Sequence, residues 1–173
     1  MTSALILIDV QRGFDNPVLG PRNNPDAEAN IAALLGAWTG TLVLVRHDSV
    51  EPGSPLEPGT EGNTFKPVLD GVVPHLLFGK KVHSAFHGEV DLHAWLTGRG
   101  ITEIVLAGIQ TNMCVETTAR LGHNLGYRVK VVLDATYTFD LGDLTADQLA
   151  QATATNLAGG RFAQIVSTKD VTG

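Results

Sequence analysis

Short, wholly apolar runs alternate along the chain with longer stretches in which apolar and polar residues mix at helical spacing. Runs this apolar are typical of strands buried on both faces, which occur in parallel sheets covered by helices on each side. Six runs predict strands: Ala4–Ile8, Thr41–Val45, Leu76–Phe78, Ile104–Ile109, Val129–Leu133 and Phe162–Val166. Four stretches predict helices: Pro25–Thr39, Val90–Arg99, Cys114–Gly126 and Thr145–Gly159. The alternation predicts an α/β fold, a three-layer α/β/α, doubly wound and Rossmann-like domain spanning residues 1–173, with a mainly parallel six-stranded sheet.

The segment Asp48–Pro74 interrupts this pattern because it is rich in proline and glycine. Long loops inside compact domains usually serve as lids, binding loops or contacts between subunits. In an open α/β sheet, ligands bind beyond the carboxyl ends of the strands, near the point where the strand order reverses. We therefore expect this loop to border the functional site, either as a lid or as a subunit contact.

Composition and charge narrow the class of protein. The chain has 173 residues, 43% of them hydrophobic and 17% charged, with a net charge of −6. These values are typical of one folded domain and argue against a nucleic-acid partner, which would need a basic surface. The apolar start meets Asp9 without a basic region before it, and no run reaches the ~20 residues of a membrane span. Since a single cysteine cannot form an internal disulfide, we expect a cytoplasmic protein without nucleic-acid or membrane partners.

Three of the predicted strands end in residues that together suit acyl transfer. Asp9 follows the first strand, Lys80 follows the third, and Cys114 follows the fourth. A thiol in the first turn of a helix faces free N–H groups, which lower its pKa and favour a thiolate nucleophile. The carboxylate can take the thiol proton, the ammonium can stabilise the thiolate, and the backbone N–H groups can hold an oxyanion. The pattern indicates a nucleophilic amidase, although Lys81 could replace Lys80, and a lone cysteine can also be a buried apolar residue.

Other aromatic and histidine residues admit two interpretations each. Phe14, Phe86 and Tyr137 could form an apolar wall against a substrate, and core packing is the competing interpretation. His83 and His87 are four residues apart, as in some metal sites, but their segment has the composition of a loop and holds no cysteine. We therefore expect no metal and no cofactor.

Three spaced segments resemble the isochorismatase-like cysteine hydrolases. They are Asp9 in Leu-Ile-Asp-Val-Gln-Arg-Gly-Phe, Lys80 ahead of Ser-Ala-Phe, and the stretch Gly108-Ile-Gln-Thr-Asn-Met-Cys-Val-Glu-Thr-Thr-Ala-Arg120. The resemblance covers nearly the whole chain in the right order, and it implies a three-layer α/β/α fold. It also implies Asp9 as base, Lys80 as cation and Cys114 as nucleophile. A cis peptide bond between Ile109 and Gln110 is implied as well, with the Gln110 and Cys114 N–H groups forming the oxyanion hole.

Two differences between this chain and subgroups of that family favour hydrolysis of a C–N bond. Nicotinamidases carry an Asp-x-His metal motif after the second strand, where this chain reads Val45-Arg-His-Asp-Ser49. Isochorismatases that cleave a vinyl ether lack the cysteine, which this chain keeps as Cys114. His47 and Asp48, at the end of the second strand, either line the pocket or lie in solvent.

The sequence therefore predicts a hydrolase that cleaves the C–N bond of a small amide through a thioester on Cys114. Asp9 would protonate the leaving amine and activate the water that releases the acid. A carbamoyl or lactam amidase, such as a ureide or streptothricin-like hydrolase, is the alternative among enzymes. A non-catalytic protein that binds a small molecule, or a single-cysteine redox sensor, is the alternative from another class. The exposed sheet flanks and the resemblance together imply a homo-oligomer, in a number of subunits that the sequence does not give.

Overall fold

The computed structural model describes residues 2–173, and its centre is one six-stranded sheet in which all neighbouring strands are parallel. The strands are, in chain order, β1 Ser3–Ile8, β2 Thr41–His47, β3 Leu76–Lys80, β4 Glu103–Ile109, β5 Arg128–Tyr137 and β6 Gln164–Val166. Their order across the sheet is β3-β2-β1-β4-β5-β6, which is a doubly wound arrangement. The predicted α/β fold is therefore confirmed.

Helices cover both faces of the sheet because successive strand residues point to opposite sides. They are α1 Ala27–Ala37, α2 Leu92–Thr97, α3 Glu116–Asn124, α4 Ala146–Gly159 and α5 Thr168–Thr172. In β1, Ile6 and Ile8 join the core formed with α2, α3 and α4, whereas Leu5 and Leu7 join the core formed with α1 and α5. Three layers result. Within residues 2–173, no helix combines the length and the apolar character that crossing a bilayer requires.

The elements differ from the predicted ones mainly at their ends. β5 extends four residues beyond the predicted end at Leu133, and this extension resumes pairing with β4 at Gly108 after a shift of register. The helix predicted from Pro25 begins at Ala27, since Pro25 lies in the turn that precedes it. α5 was not predicted, because five residues are too few to show a helical period; a Ser167 capping box starts it.

The long loop after β2 is fixed to the end of β1 by a buried amide. Gln11 is fully buried, and its Nε2 donates to the backbone oxygens of Asn63 and His47 at 2.9 and 3.0 Å. Its Oε1 accepts the His47 N–H at 2.8 Å. The Asn63 side chain donates in turn to Asp48 Oδ1 at 2.9 Å. The loop therefore forms a fixed wall beside the carboxyl ends of β1 and β2.

Candidate active site

The carboxyl ends of three strands bring Asp9, Lys80 and Cys114 into contact. β1 and β4 are neighbours at the point where the strand order reverses, and β3 ends at the same edge of the sheet. Lys80 Nζ lies 2.6 Å from Asp9 Oδ2 and 3.3 Å from Cys114 Sγ. Lys81 is exposed, so Lys80 is the lysine that joins the site. The structure thus brings together the three residues that the sequence singled out.

The backbone at the ends of β1 and β4 is held in unusual conformations. Asp9 has a positive φ of 54°, and its N–H donates to Val45 O at 2.9 Å. Gly108 has a φ of 123°, and a Cβ atom there would lie 2.0 Å from Ile8 O. Only glycine permits this close approach of the two strands. The two conformations lie at the ends of the neighbouring strands β1 and β4, next to the segments that carry Asp9 and Cys114.

The turn that presents Cys114 is a π-helical turn over Thr111–Val115, which leads into α3. The Val115 N–H donates to Gln110 O at 3.2 Å, and π-helical turns of this kind recur at functional sites. The sequence had placed the start of the helix at Cys114; the helical segment begins three residues earlier, because the π turn precedes the α-helix. The peptide bond between Ile109 and Gln110 is cis, as the resemblance implies.

Side chains behind this turn keep it in place. The Thr138 hydroxyl is fully buried and lies 2.5 Å from Asn112 Oδ1 and 3.2 Å from Gln110 Oε1. Thr111 donates from its hydroxyl to Thr136 Oγ1 at 2.8 Å. Among residues 2–173, no backbone acceptor faces the Gln110 N–H. That donor is free to bind an oxyanion, the role predicted for the N–H groups of Gln110 and Cys114.

His47 is a site residue whose role the sequence left undecided. The register of β2 and β3 pairs His47 with Lys80, and His47 Nδ1 lies 3.1 Å from Lys80 Nζ. An ammonium has three N–H donors, and Asp9, His47 and Cys114 each face one of them. Burial, reinforced by the positive charge of Lys80, lowers the pKa of His47 to about 4. The ring is therefore neutral at neutral pH and can accept the hydrogen bond.

The same three acceptors have the spacing of a small metal site. A carboxylate oxygen of Asp9, a ring nitrogen of His47 and Cys114 Sγ all lie within 4.8 Å of one another. The Lys80 ammonium contacts all three, and the side chains of Lys80 and Asp9 have no exposed surface. The three acceptors are thus already in contact with a monovalent cation of the chain itself, the Lys80 ammonium.

Burial controls the protonation of the nucleophile and the base. Burial, followed by the negative charge of Asp9, raises the pKa of the Cys114 thiol well above its usual range, and Lys80 opposes this shift. Burial also raises the pKa of Asp9, again against the effect of Lys80. The expectation that a helix start lowers the thiol pKa is therefore wrong for the resting site, because Cys114 is only 6% exposed.

A proton can nevertheless pass from Cys114 to Asp9 without changing the net charge of the site. Asp9 Oδ1 is buried and has no hydrogen-bond partner among the described residues, so it can accept a proton. The Lys80 ammonium lies against both groups, and it can pair with a carboxylate before the transfer and with a thiolate after it. Such a transfer would form the thiolate within the site, without loss of a proton to solvent.

Of the predicted aromatic wall, two members belong to the core. Tyr137 has no exposed surface, and Phe14 is 6% exposed; both pack with Ile109 and Phe139. Core packing, the competing interpretation, therefore describes these two residues. Phe86 is half-buried and stacks on the Tyr127 ring, with 5.8 Å between the ring centroids. Its role in binding a substrate stays a prediction.

The histidines that suggested a metal do not converge. His83 and His87 are both exposed, and His83 Nδ1 lies 3.5 Å from Cys114 Sγ. His93 Nδ1 lies 2.8 Å from the hydroxyl of Tyr127 on another part of the surface. Of the two histidines whose spacing suggested a metal, His83 is therefore the one that contacts Cys114.

Two charged residues near the site have structural partners. Arg120 pairs with Glu116 one turn away at 2.7 Å, and Asp48 pairs with Arg46 at 2.8 Å. Asp48 is buried and also accepts the Asn63 side chain, so it stabilises the loop after β2 and does not lie in solvent.

Comparison with known proteins decides the family. The sequence profile of the isochorismatase domain matches residues 3–170. The chain belongs to the isochorismatase family. A crystal structure of an isochorismatase-family protein from Chromobacterium violaceum is 37% identical and superposes with a TM-score of 0.92, over 99% of this chain and 92% of that one. The sequence-based identification of the family is thereby confirmed.

Curated relatives that align with nearly the whole chain support the same assignment. The uncharacterised isochorismatase family protein YrdC of Bacillus subtilis is 34% identical over 172 residues, which is 95% of this chain and 91% of YrdC. Nicotinamidase 3 of Arabidopsis thaliana is 31% identical over 96% of this chain and 74% of that protein. The chain is an enzyme of the hydrolase class, as the sequence predicted.

Proposed function

We propose that this isochorismatase-family hydrolase cleaves the C–N bond of a small amide that is not a peptide, through a thioester on Cys114. The observation that supports the proposal best is the position of Lys80 Nζ, in contact with both Asp9 Oδ2 and Cys114 Sγ. This arrangement pairs a nucleophile with a base and a fixed cation. The similarity to a plant nicotinamidase agrees with an amide as the substrate.

Acylation begins when the thiol proton of Cys114 moves to Asp9 as the sulfur attacks the carbonyl carbon. The negative charge then passes from sulfur to the carbonyl oxygen, which the Gln110 and Cys114 N–H groups hold. Collapse of this intermediate breaks the C–N bond, and the nitrogen leaves with a proton. The product on the enzyme is a thioester, which water hydrolyses to the acid.

Lys80 and His47 keep the site ready for this transfer. The Lys80 ammonium stabilises the negative charge whether it lies on Asp9 or on Cys114. The neutral acceptor His47 Nδ1 holds the ammonium in place, so that it stays in contact with both groups. A carbamoyl or lactam amide would react by the same steps, so both compound classes belong in the substrate test. Self-association and a cytoplasmic location stay predictions.

The test is a panel of nicotinamide, N-carbamoyl-β-alanine, 2-pyrrolidinone and simple aliphatic amides, assayed for release of acid with the wild type and with Cys114→Ala. We expect at least one amide to be hydrolysed by the wild type and its turnover to fall by about four orders of magnitude or more in the variant, as for other catalytic nucleophiles. Full turnover by Cys114→Ala would contradict the mechanism. A thiol that reacts with iodoacetamide no faster than free cysteine, together with no hydrolysis, would favour a binding protein.

A further inference from the structure

Two steps of the proposed mechanism exchange a proton with a group that comes from solvent or leaves to it. These groups are the departing amine and the water that attacks the thioester. Asp9 has no exposed surface, and its unpaired oxygen Oδ1 is buried. Cys114 Sγ contacts the Lys80 ammonium, which is itself paired with Asp9, and neither of these two side chains has exposed surface. A substrate bonded to Sγ must therefore extend to the other, solvent-facing side.

His83 lies on that side of the sulfur. Its Nδ1 is 3.5 Å from Cys114 Sγ, and its side chain is exposed. It also lines an open cavity of about 660 Å³ between its own segment and α3, whose wall includes Thr117 and Leu121. One ring thus reaches both the reacting sulfur and the solvent. Imidazole is the side chain best suited to accept and donate protons near neutral pH.

We propose that His83 is a second catalytic acid–base residue, which protonates the leaving nitrogen and then takes a proton from the attacking water. Asp9 would keep the thiol proton while the acyl group is on Cys114. This inference rests on the proposed amidase mechanism and changes one part of it, since the resemblance implies that Asp9 alone performs these transfers.

The proton balance closes over one turnover. Protonated His83 gives its proton to the nitrogen as the C–N bond breaks, and the ring becomes neutral. Water then loses a proton to the ring as its oxygen bonds to the thioester carbon. When the C–S bond breaks, the sulfur takes back the proton that Asp9 has held, so Cys114, Asp9 and His83 all return to their starting states.

The leaving group distinguishes this role from other roles of His83. An amine leaves only with a proton, whereas 4-nitrophenolate leaves without one. The test compares His83→Gln with the wild type on the best amide of the panel and on the 4-nitrophenyl ester of the same acid, by the rate of acylation. We expect amide acylation to fall by about 100-fold, the lower end of general acid catalysis, and the ester burst to stay within about 3-fold.

His87→Gln is the matched control, because His87 is an exposed histidine that lines the same cavity four residues further along, whereas His83 is the histidine whose ring lies against Cys114 Sγ. It should leave the ratio of amide to ester rates unchanged. If His83→Gln slows the amide and the ester equally, His83 acts on the thiol and the proposal is wrong. If the amide rate is unaffected, the proposal is wrong as well, whereas a wild type that forms no acyl adduct at all would refute the proposed function instead.

Chemical rescue separates a catalytic role from a structural one. The exposed position of His83 leaves room for a free imidazole molecule in His83→Ala. We expect added imidazole to raise the amide rate of this variant in proportion to its concentration and to have no such effect on His87→Ala. Absence of rescue in a folded His83→Ala that also shows equal losses on amide and ester would overturn the assignment.

Discussion

The two sides of Cys114 differ in burial and in the kind of groups that they hold. Beneath the sulfur, Asp9 and Lys80 are completely buried and make a closed hydrogen-bonded group with His47. Above the sulfur, His83 is exposed and borders an open cavity. In the proposed mechanism, charge therefore forms on the closed side, away from solvent, while reactants and protons are exchanged on the open side.

Removal of the cation from the closed side should have the largest effect. Lys80→Met leaves the Cys114 thiolate without an ammonium in a site of low polarity, so we expect hydrolysis to fall by roughly 1,000-fold, the scale of losing a strong electrostatic contact. Lys81→Met is the control, since that neighbouring lysine is exposed and should change the rate by less than about 2-fold. Steady-state kinetics and alkylation of Cys114 by iodoacetamide measure both. Equal rates in the two variants would show that the buried ammonium of Lys80 has no special role, and would contradict the difference drawn between the two sides of Cys114.

The neutral state of His47 should appear as a pH dependence of stability. The folded pKa of His47 is about 4, below its usual value, so the unfolded chain binds a proton between pH 6.5 and 4 that the folded chain does not bind. Stability from this group is therefore present above pH 6.5 and lost as the pH falls toward 4. We expect the free energy of unfolding of the wild type to fall by about 1 kcal/mol more than that of His47→Gln, after allowance for a ring that is partly exposed.

Urea unfolding at pH 7, 5.5 and 4 measures this difference for His47. A wild type and variant whose stabilities change in parallel over that range would show that the His47 ring is not held neutral beside Lys80.

The smallest effect is expected away from both sides, at Tyr137. Because Tyr137 has no exposed surface and packs with Phe14 and Phe139, Tyr137→Phe should leave the KM for the best amide within about 2-fold. Phe86→Ala is the comparison, since Phe86 is half-buried and its role in binding a substrate stays a prediction. A clear rise of KM in Tyr137→Phe would show that the Tyr137 hydroxyl contributes to substrate binding and would contradict the core-packing interpretation.

The sequence predicts most of the sheet and the triad for a simple reason. Apolar runs show where buried strands lie, and parallel strands present their carboxyl ends at one edge, so Asp9, Lys80 and Cys114 are expected to meet there. His47 stayed undecided because its contact with Lys80 depends on the register of β2 and β3, which no local pattern reveals. The prediction of a lowered thiol pKa was wrong because the sequence shows the start of the helix but not the burial of Cys114, which depends on the assembled site.

The measurement that tests the central claim most directly is intact-mass spectrometry of the enzyme quenched during turnover of the best amide. The account predicts an adduct whose added mass equals the acyl group, located on Cys114 by peptide mapping and absent from Cys114→Ser. Turnover by the wild type with no acyl adduct, and with no acyl hydroxamate released when hydroxylamine is added to cleave a thioester, would contradict it.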